Sequence, residues 1–230
     1  YKNIFLDYSV LFGKLNNSNG HIFYQDYSKT RQDKYITPPL FHRKFISLGK
    51  KINELDKVTI GFAHGAMFGG EILKGDGRVV KPQGNFDTFI DIFFLQSNNS
   101  DSNYDNNVEG NNLGFWYLEY FRKESFKLYV EKFYDDKSGI LLKNHLDGLW
   151  GLEFFNLALF SKVALEYLTT INQSGKIHPP GIDSYYWHHI YTGGWQMENQ
   201  SLGNPFIYQN DNRKKIIKIN FELNLNDNYF

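Results

Sequence analysis

Apolar and polar side chains alternate along several stretches of the chain. The most regular is IIKINFELNLN, where Ile217, Ile219, Phe221, Leu223 and Leu225 fall on one side and Lys218, Asn220, Glu222, Asn224 and Asn226 on the other. Successive side chains of a strand point to opposite faces, so this period of two predicts half-buried β-strands. Residues 3–14 repeat the pattern with Ile4, Leu6, Tyr8, Val10 and Phe12. So do FKLYVEKF, through Phe126, Leu128 and Val130, and KVALEYLT, through Val163, Leu165 and Tyr167. One face is apolar and the other charged or small, which an antiparallel soluble sheet and a membrane β-barrel would both produce.

The connections separate these two. Short turns, near Lys51–Asp56, at RKES (122–125) and around Ala158–Ser161, alternate with long polar loops at 16–40, 97–111, 135–147 and 171–185. Outer-membrane barrels have that asymmetry, with short periplasmic turns and long outer loops. A β-sandwich with irregular loops is the soluble alternative. One segment, NFDTFIDIFFLQ, breaks the period: Phe86, Phe89, Ile90, Phe93 and Phe94 recur at helical spacing behind Asn85, a good N-cap residue. Chain direction agrees with a short helix near 86–94. If the turns near Lys51–Asp56 and at 122–125 lie on one side, strands 57–68 and 113–121 run in opposite directions only when no complete strand intervenes. The expectation is an all-β, antiparallel transmembrane outer-membrane β-barrel, partial, with about eight strands and a plug-like helix inside or across its mouth. No internal repeat or linker divides residues 1–230, which read as a single barrel domain, incomplete at both ends.

Composition narrows the partners. Twenty-five basic and 25 acidic residues give a formal net charge of +0 and a pI near 7.2, so no global field attracts nucleic acid. Cysteine is absent, which removes disulfides, thiolate metal sites and cysteine nucleophiles. Aromatic residues make up 18% of the chain while the mean hydropathy is −0.49. Tyr and Trp are favoured where one end of a ring is apolar and the other wet, bilayer interfaces included. No apolar run reaches the roughly 18 residues of a transmembrane helix, a length that does not bear on barrels.

Candidate chemistry is sparse. None of the histidines sits in an HExxH frame, and adjacent His188 and His189 would point to opposite faces of a strand. No GxSxG nucleophile elbow occurs. Asp135 and Asp136 with Asp147 and Glu153 could flank a glycosidic bond, a mechanism requiring a separation of about 5 to 10 Å; loop carboxylates in water, with Glu153 facing a polar lumen, are the plainer reading. No catalytic residue, metal or cofactor is assigned. The stretch YYWHHIYTGGWQ (185–196) gathers flat, half-polar rings, suited to lumen packing, to an aromatic girdle at the membrane interface, or to stacking on sugars.

Several phrases, in serial order, resemble the capsule assembly Wzi family of Gram-negative outer-membrane proteins. They are PPLFHRKFISL (38–48), IGFAHGAMFGGE (60–71), FDTFIDIFF followed by NVEGNNLGFWYLEY (107–120), YDDKSGILLKNHLDGLWGLEF (134–154), LEYLTTINQSG (165–175) and YYWHHIYTGGWQMENQSLGNPF (185–206). The resemblance implies a large antiparallel barrel needing roughly twice this length, so the chain reads as an internal segment. It also implies a lectin-like, non-enzymatic role in the outer membrane: binding or anchoring surface polysaccharide and assisting its assembly. Tyr185, Trp187, His188, Tyr191, Trp195, Gln196 and Asn199 are then the carbohydrate-binding candidates. Partners would be surface polysaccharide, outer-membrane lipid and envelope proteins. An accessory barrel subunit of a larger envelope or secretion complex, or a solute channel, is the alternative.

Overall fold

The computed structural model describes residues 3–14, 21–26, 29–96, 110–173, 185–186, 188, 190–191, 195–197, 200–207 and 213–224. In chain order the strands and helices are β1 (Ile4–Lys14), β2 (His21–Asp26), β3 (Lys29–Thr37), β4 (Leu40–Lys51), β5 (Asp56–Phe68), β6 (Glu71–Leu73), β7 (Val79–Val80), α1 (Phe86–Phe93), β8 (Asn111–Arg122) and β9 (Phe126–Tyr134). They continue with α2 (Lys137–Ile140), β10 (Gly148–Leu157), β11 (Phe160–Thr169), β12 (Gln196–Met197), β13 (Gln200–Ser201) and β14 (Lys215–Leu223).

The main sheet has eight strands in the order β1-β4-β5-β8-β9-β10-β11-β14, every neighbouring pair antiparallel. A smaller sheet, β2-β3-β6-β7, and the β12-β13 hairpin lie outside it. The main sheet is open, with β1 and β14 as its two edges, so the expected barrel closure is not seen among the described strands. Among the described residues no helix is long and apolar enough to cross a membrane.

Register fixes what each face carries. Leu6, Leu48, Ile60, Leu118, Val130, Trp150, Tyr167 and Ile217 are successive cross-strand partners, one per strand, and form an apolar row across the whole sheet. The face they share is exposed: Tyr8, Val10, Ile46, Leu128, Leu165, Ile219 and Phe221 also stand open on it. Opposite lies a polar face on which Lys57 pairs with Glu119, Lys127 and Lys162 with Glu153, and Lys218 with Glu166. The alternation predicted for β14 therefore holds over the described residues, with Ile217, Ile219, Phe221 and Leu223 on the apolar side; Leu225 lies outside them.

The three tight turns that join neighbouring strands of the main sheet directly, 52–55, 123–125 and 158–159, fall at one end of it, and its longer connections at the other. Not all of the latter are loops. Residues 16–40, expected as a polar loop, contain β2 and β3, because Lys29–Thr37 finds a partner strand in β6 that local sequence does not reveal. Within 135–147, Asp136 caps the short α2, its Oδ1 accepting from the Gly139 amide at 2.9 Å.

The helix forms where expected. The Asn85 Oδ1 accepts from the Thr88 amide at 2.9 Å and from its hydroxyl at 2.8 Å, an N-cap that satisfies an otherwise orphaned amide. Its position is different from that of a plug. The residues under α1 are Leu40, Ala66 and Phe68, and Phe89 meets Phe12 at 5.6 Å and His42 at 5.8 Å, all on the apolar face. The sheet-facing side chains are Thr88, Phe89, Ile92 and Phe93, with Phe86 outward. Periodicity identified the helix but not which of its two apolar sides meets the sheet. Asn85→Ala is expected to destabilise α1 by about 1 kcal/mol, read as a roughly fivefold rise in amide exchange across Phe86–Phe93 with the sheet amides unchanged.

Candidate functional site

The long-connection end of the polar face is built from β4, β5, β8, β9, β10 and β11, whose side chains on that side change from charged to apolar as they approach it. Phe41, Met67, Leu113, Phe115, Phe133, Leu149 and Leu168 form a floor, and Tyr185, Tyr186, Trp195 and Ile207 of the returning chain pack onto it. Trp195 is 3% exposed, its ring 5.7 Å and edge-on to Phe41, and its Nε1 donates to Asn111 Oδ1 at 3.2 Å. Gly65 lies beneath that ring, where a Cβ would come within 2.9 Å of it. Tyr185, Tyr186, Trp195 and Ile207 cover this end of the polar face, whereas α1 lies on the apolar face.

A buried polar knot ties the segment down. The Asp147 carboxylate accepts the Asn172 amide at 2.9 and 3.0 Å and the Tyr185 hydroxyl at 3.0 Å. Asn144 Nδ2 donates both to the Phe133 carbonyl, at 2.9 Å, and to the Tyr185 hydroxyl. The Tyr185 amide donates to Gln173 Oε1 at 3.1 Å. Burial pushes the Asp147 carboxyl up to about 6, against the opposing pull of those hydrogen bonds. Behind it, Tyr186 adopts φ 70°, and its hydroxyl accepts the Asn204 amide at 2.6 Å.

A second knot joins the segment to the small sheet. Lys74 Nζ donates to Asp33 at 3.0 Å and to the Ile190 carbonyl at 2.7 Å. His188 Nδ1 accepts the amides of Ile190 and Tyr191 at 3.1 and 3.3 Å, which leaves Nδ1 without a proton, and the Tyr191 hydroxyl donates to the Gly69 carbonyl at 3.1 Å.

Of the seven carbohydrate-binding candidates, Tyr185, His188, Tyr191 and Trp195 are brought together here and are buried. A sugar stacks on an open ring face, so in this arrangement the four are packing and hydrogen-bonding groups. Gln196 begins the β12-β13 hairpin. Trp187 and Asn199 lie outside the described residues. Two of the other carboxylates that could flank a glycosidic bond are used elsewhere: Asp136 caps α2, and Glu153 lies on the polar face between Lys127 and Lys162. Among the described residues no group of three or more His, Asp or Glu is placed to hold a metal ion. Asn144, Gln173, Asn204 and Asn111 carry the site but gave no sequence signal, because each partner is remote in the chain or is a backbone group.

The sequence model described as Capsule assembly protein Wzi matches residues 23–227. The chain belongs to that family. Its members' association with capsule assembly is thus this chain's general role. No curated protein and no solved structure matches the chain.

Asp147 makes the knot pH-dependent. Its folded-state value lies above the ordinary carboxylate range, so the folded chain holds the proton more tightly than the unfolded chain, and stability is lost as pH rises from about 4 through about 6. Asp147→Asn, neutral throughout, should shrink the difference in stability between about pH 4 and pH 7 by up to about 3 kcal/mol, measured by thermal unfolding at both values.

Proposed function

We propose that this chain forms wall and loop-end surface of an outer-membrane β-barrel that binds surface polysaccharide and assists its assembly into capsule, without catalysing a reaction. The observation that carries this reading is the eight-strand apolar row backed by a paired polar face, in a chain of the capsule assembly family. A barrel wall needs both properties together, lipid on one side and water on the other. The open edges at β1 and β14 are where further strands pair to complete the cylinder.

Polysaccharide contact is assigned to the segment 185–199. The buried rings Tyr185, His188, Tyr191 and Trp195 hold the segment, while Trp187 offers the stacking face and Gln196 and Asn199 hydrogen-bond to hydroxyl groups. A solute channel is the weaker reading, since Tyr185, Tyr186, Trp195 and Ile207 cover the polar face at its loop end.

Two measurements test it. Trp187→Ala should weaken polysaccharide retention on cells by on the order of 1 to 3 kcal/mol, the worth of one stacking anchor, with unchanged heat-modifiability on gels. Trp195→Ala should instead lower stability by about 3 to 5 kcal/mol. Retention untouched by Trp187→Ala removes the segment as the glycan site. For the wall, Phe221→Arg should cost about 2 to 4 kcal/mol in vesicle folding experiments if it lies near mid-bilayer, and Asn220→Arg should be tolerated. Equal tolerance at both positions sinks the membrane assignment.

A further inference from the structure

Helix α1 has three sides rather than two. Thr88, Phe89, Ile92 and Phe93 face the sheet, where Phe93 lies 5.3 Å from His42 and Lys44 Nζ sits 4.5 Å above the Phe93 ring while donating to its carbonyl. At 100° per residue the remaining surface divides in two. Phe86, Ile90 and Phe94 recur every fourth residue as one apolar stripe, and Phe86 and Phe94 are 72% and 62% exposed. Asp87 and Asp91 form an acidic stripe beside it.

What α1 covers is equally telling. Beneath it lies His42, whose ring meets Phe89 and Phe93, and next to His42 on the same face lies His64; both are fully buried, with ring centroids 5.5 Å apart. His64 Nε2 bonds to Asn112 Oδ1 at 2.8 Å, whereas His64 Nδ1 and both ring nitrogens of His42 have no partner among the described residues. Polar groups at this level of the wall are thus shielded by a helix whose outer stripe continues the apolar surface of Val10, Phe12 and Ile46. A helix at the water-facing rim would not present two exposed phenylalanines on its outer side. One apolar and one acidic stripe, side by side on a helix lying against the wall, suit the boundary between acyl chains and headgroups.

We infer that α1 is an interfacial helix embedded in the bilayer boundary around the wall, with Phe86, Ile90 and Phe94 toward the acyl chains and Asp87 and Asp91 toward water. This inference rests on the membrane-wall reading above, and the test separates the two. The sequence contains no cysteine, so single variants Phe86→Cys, Phe94→Cys, Asp87→Cys and Leu118→Cys take one polarity-sensitive fluorophore each. The full chain is reconstituted into phosphatidylcholine vesicles carrying a nitroxide either near the headgroup or near the chain end. Labels at 86 and 94 replace rings that already point away from the sheet, so the packing of Phe89 and Ile92 is retained.

The expected result is a blue shift and strong quenching at 86 and 94 by the shallow nitroxide, loss of both effects at 87, and quenching at 118 by the deep one. Unquenched, water-like emission at 86 and 94 with quenching at 118 overturns the inference and leaves the wall standing. Absence of quenching at 118 as well removes the wall and the inference with it. Emission at 86 that changes with protein-to-lipid ratio, accompanied by disulfide-linked dimers of unlabelled Phe86→Cys, identifies a second copy as the occupant and also overturns it.

Discussion

An antiparallel ladder gives a side chain no freedom to choose its face: once register is set, every second residue of every strand is committed. Here one register, shifted only beside Phe160, runs from β1 to β14 through seven strand pairs that follow one another across the sheet. A slip of one residue anywhere would turn a strand's apolar set onto the charged side. The one irregularity, between Phe160 and Lys162, lies beside a tight turn, where the ladder has little left to misalign. Glycines within the strands are covered by aromatic rings from the adjacent strand, Phe5 over Gly49, Tyr129 over Gly151 and Tyr134 over Gly114, which replaces the packing a missing side chain leaves open.

From that commitment follows the division of labour between the two ends. Tight turns close one end of the sheet, so the chain can make its excursions only at the other. Each face there receives a different cover: α1 lies on the apolar side and the segment 185–207 on the polar side. The polar cover is held by buried hydrogen bonds centred on Asp147, the apolar cover by rings and by Lys44. Neither cover is contiguous in sequence with the strands it protects.

The polar face explains why a chain with as many basic as acidic residues needs no global charge. Its Lys and Glu side chains sit across from one another on adjacent strands, so the charges cancel locally where β5, β8, β9, β10, β11 and β14 meet water. Such a surface presents no net field to a polyanion.

Local pattern determined several strands of the main sheet, β1, β9, β11 and β14 among them, the turns at one end and the short helix behind Asn85, because period two, period 3.6 and capping chemistry are all written within a dozen residues; the family was legible only in the serial order of longer phrases. Local pattern could not reveal that Lys29–Thr37 is a strand, since its partner β6 lies more than a loop away, nor which side of α1 meets the sheet, since both sides are apolar. The rings of 185–196 were legible as a cluster, but their burial was not: whether a tyrosine stacks on a ligand or closes a core depends on what lies across from it. For Tyr185 that is Asp147 and Asn144, and for Trp195 it is Phe41 and Asn111. Those neighbours are remote in sequence and meet only because the ladder lays β4, β5, β8, β9 and β10 in succession, so the tertiary structure alone decided the roles of the rings.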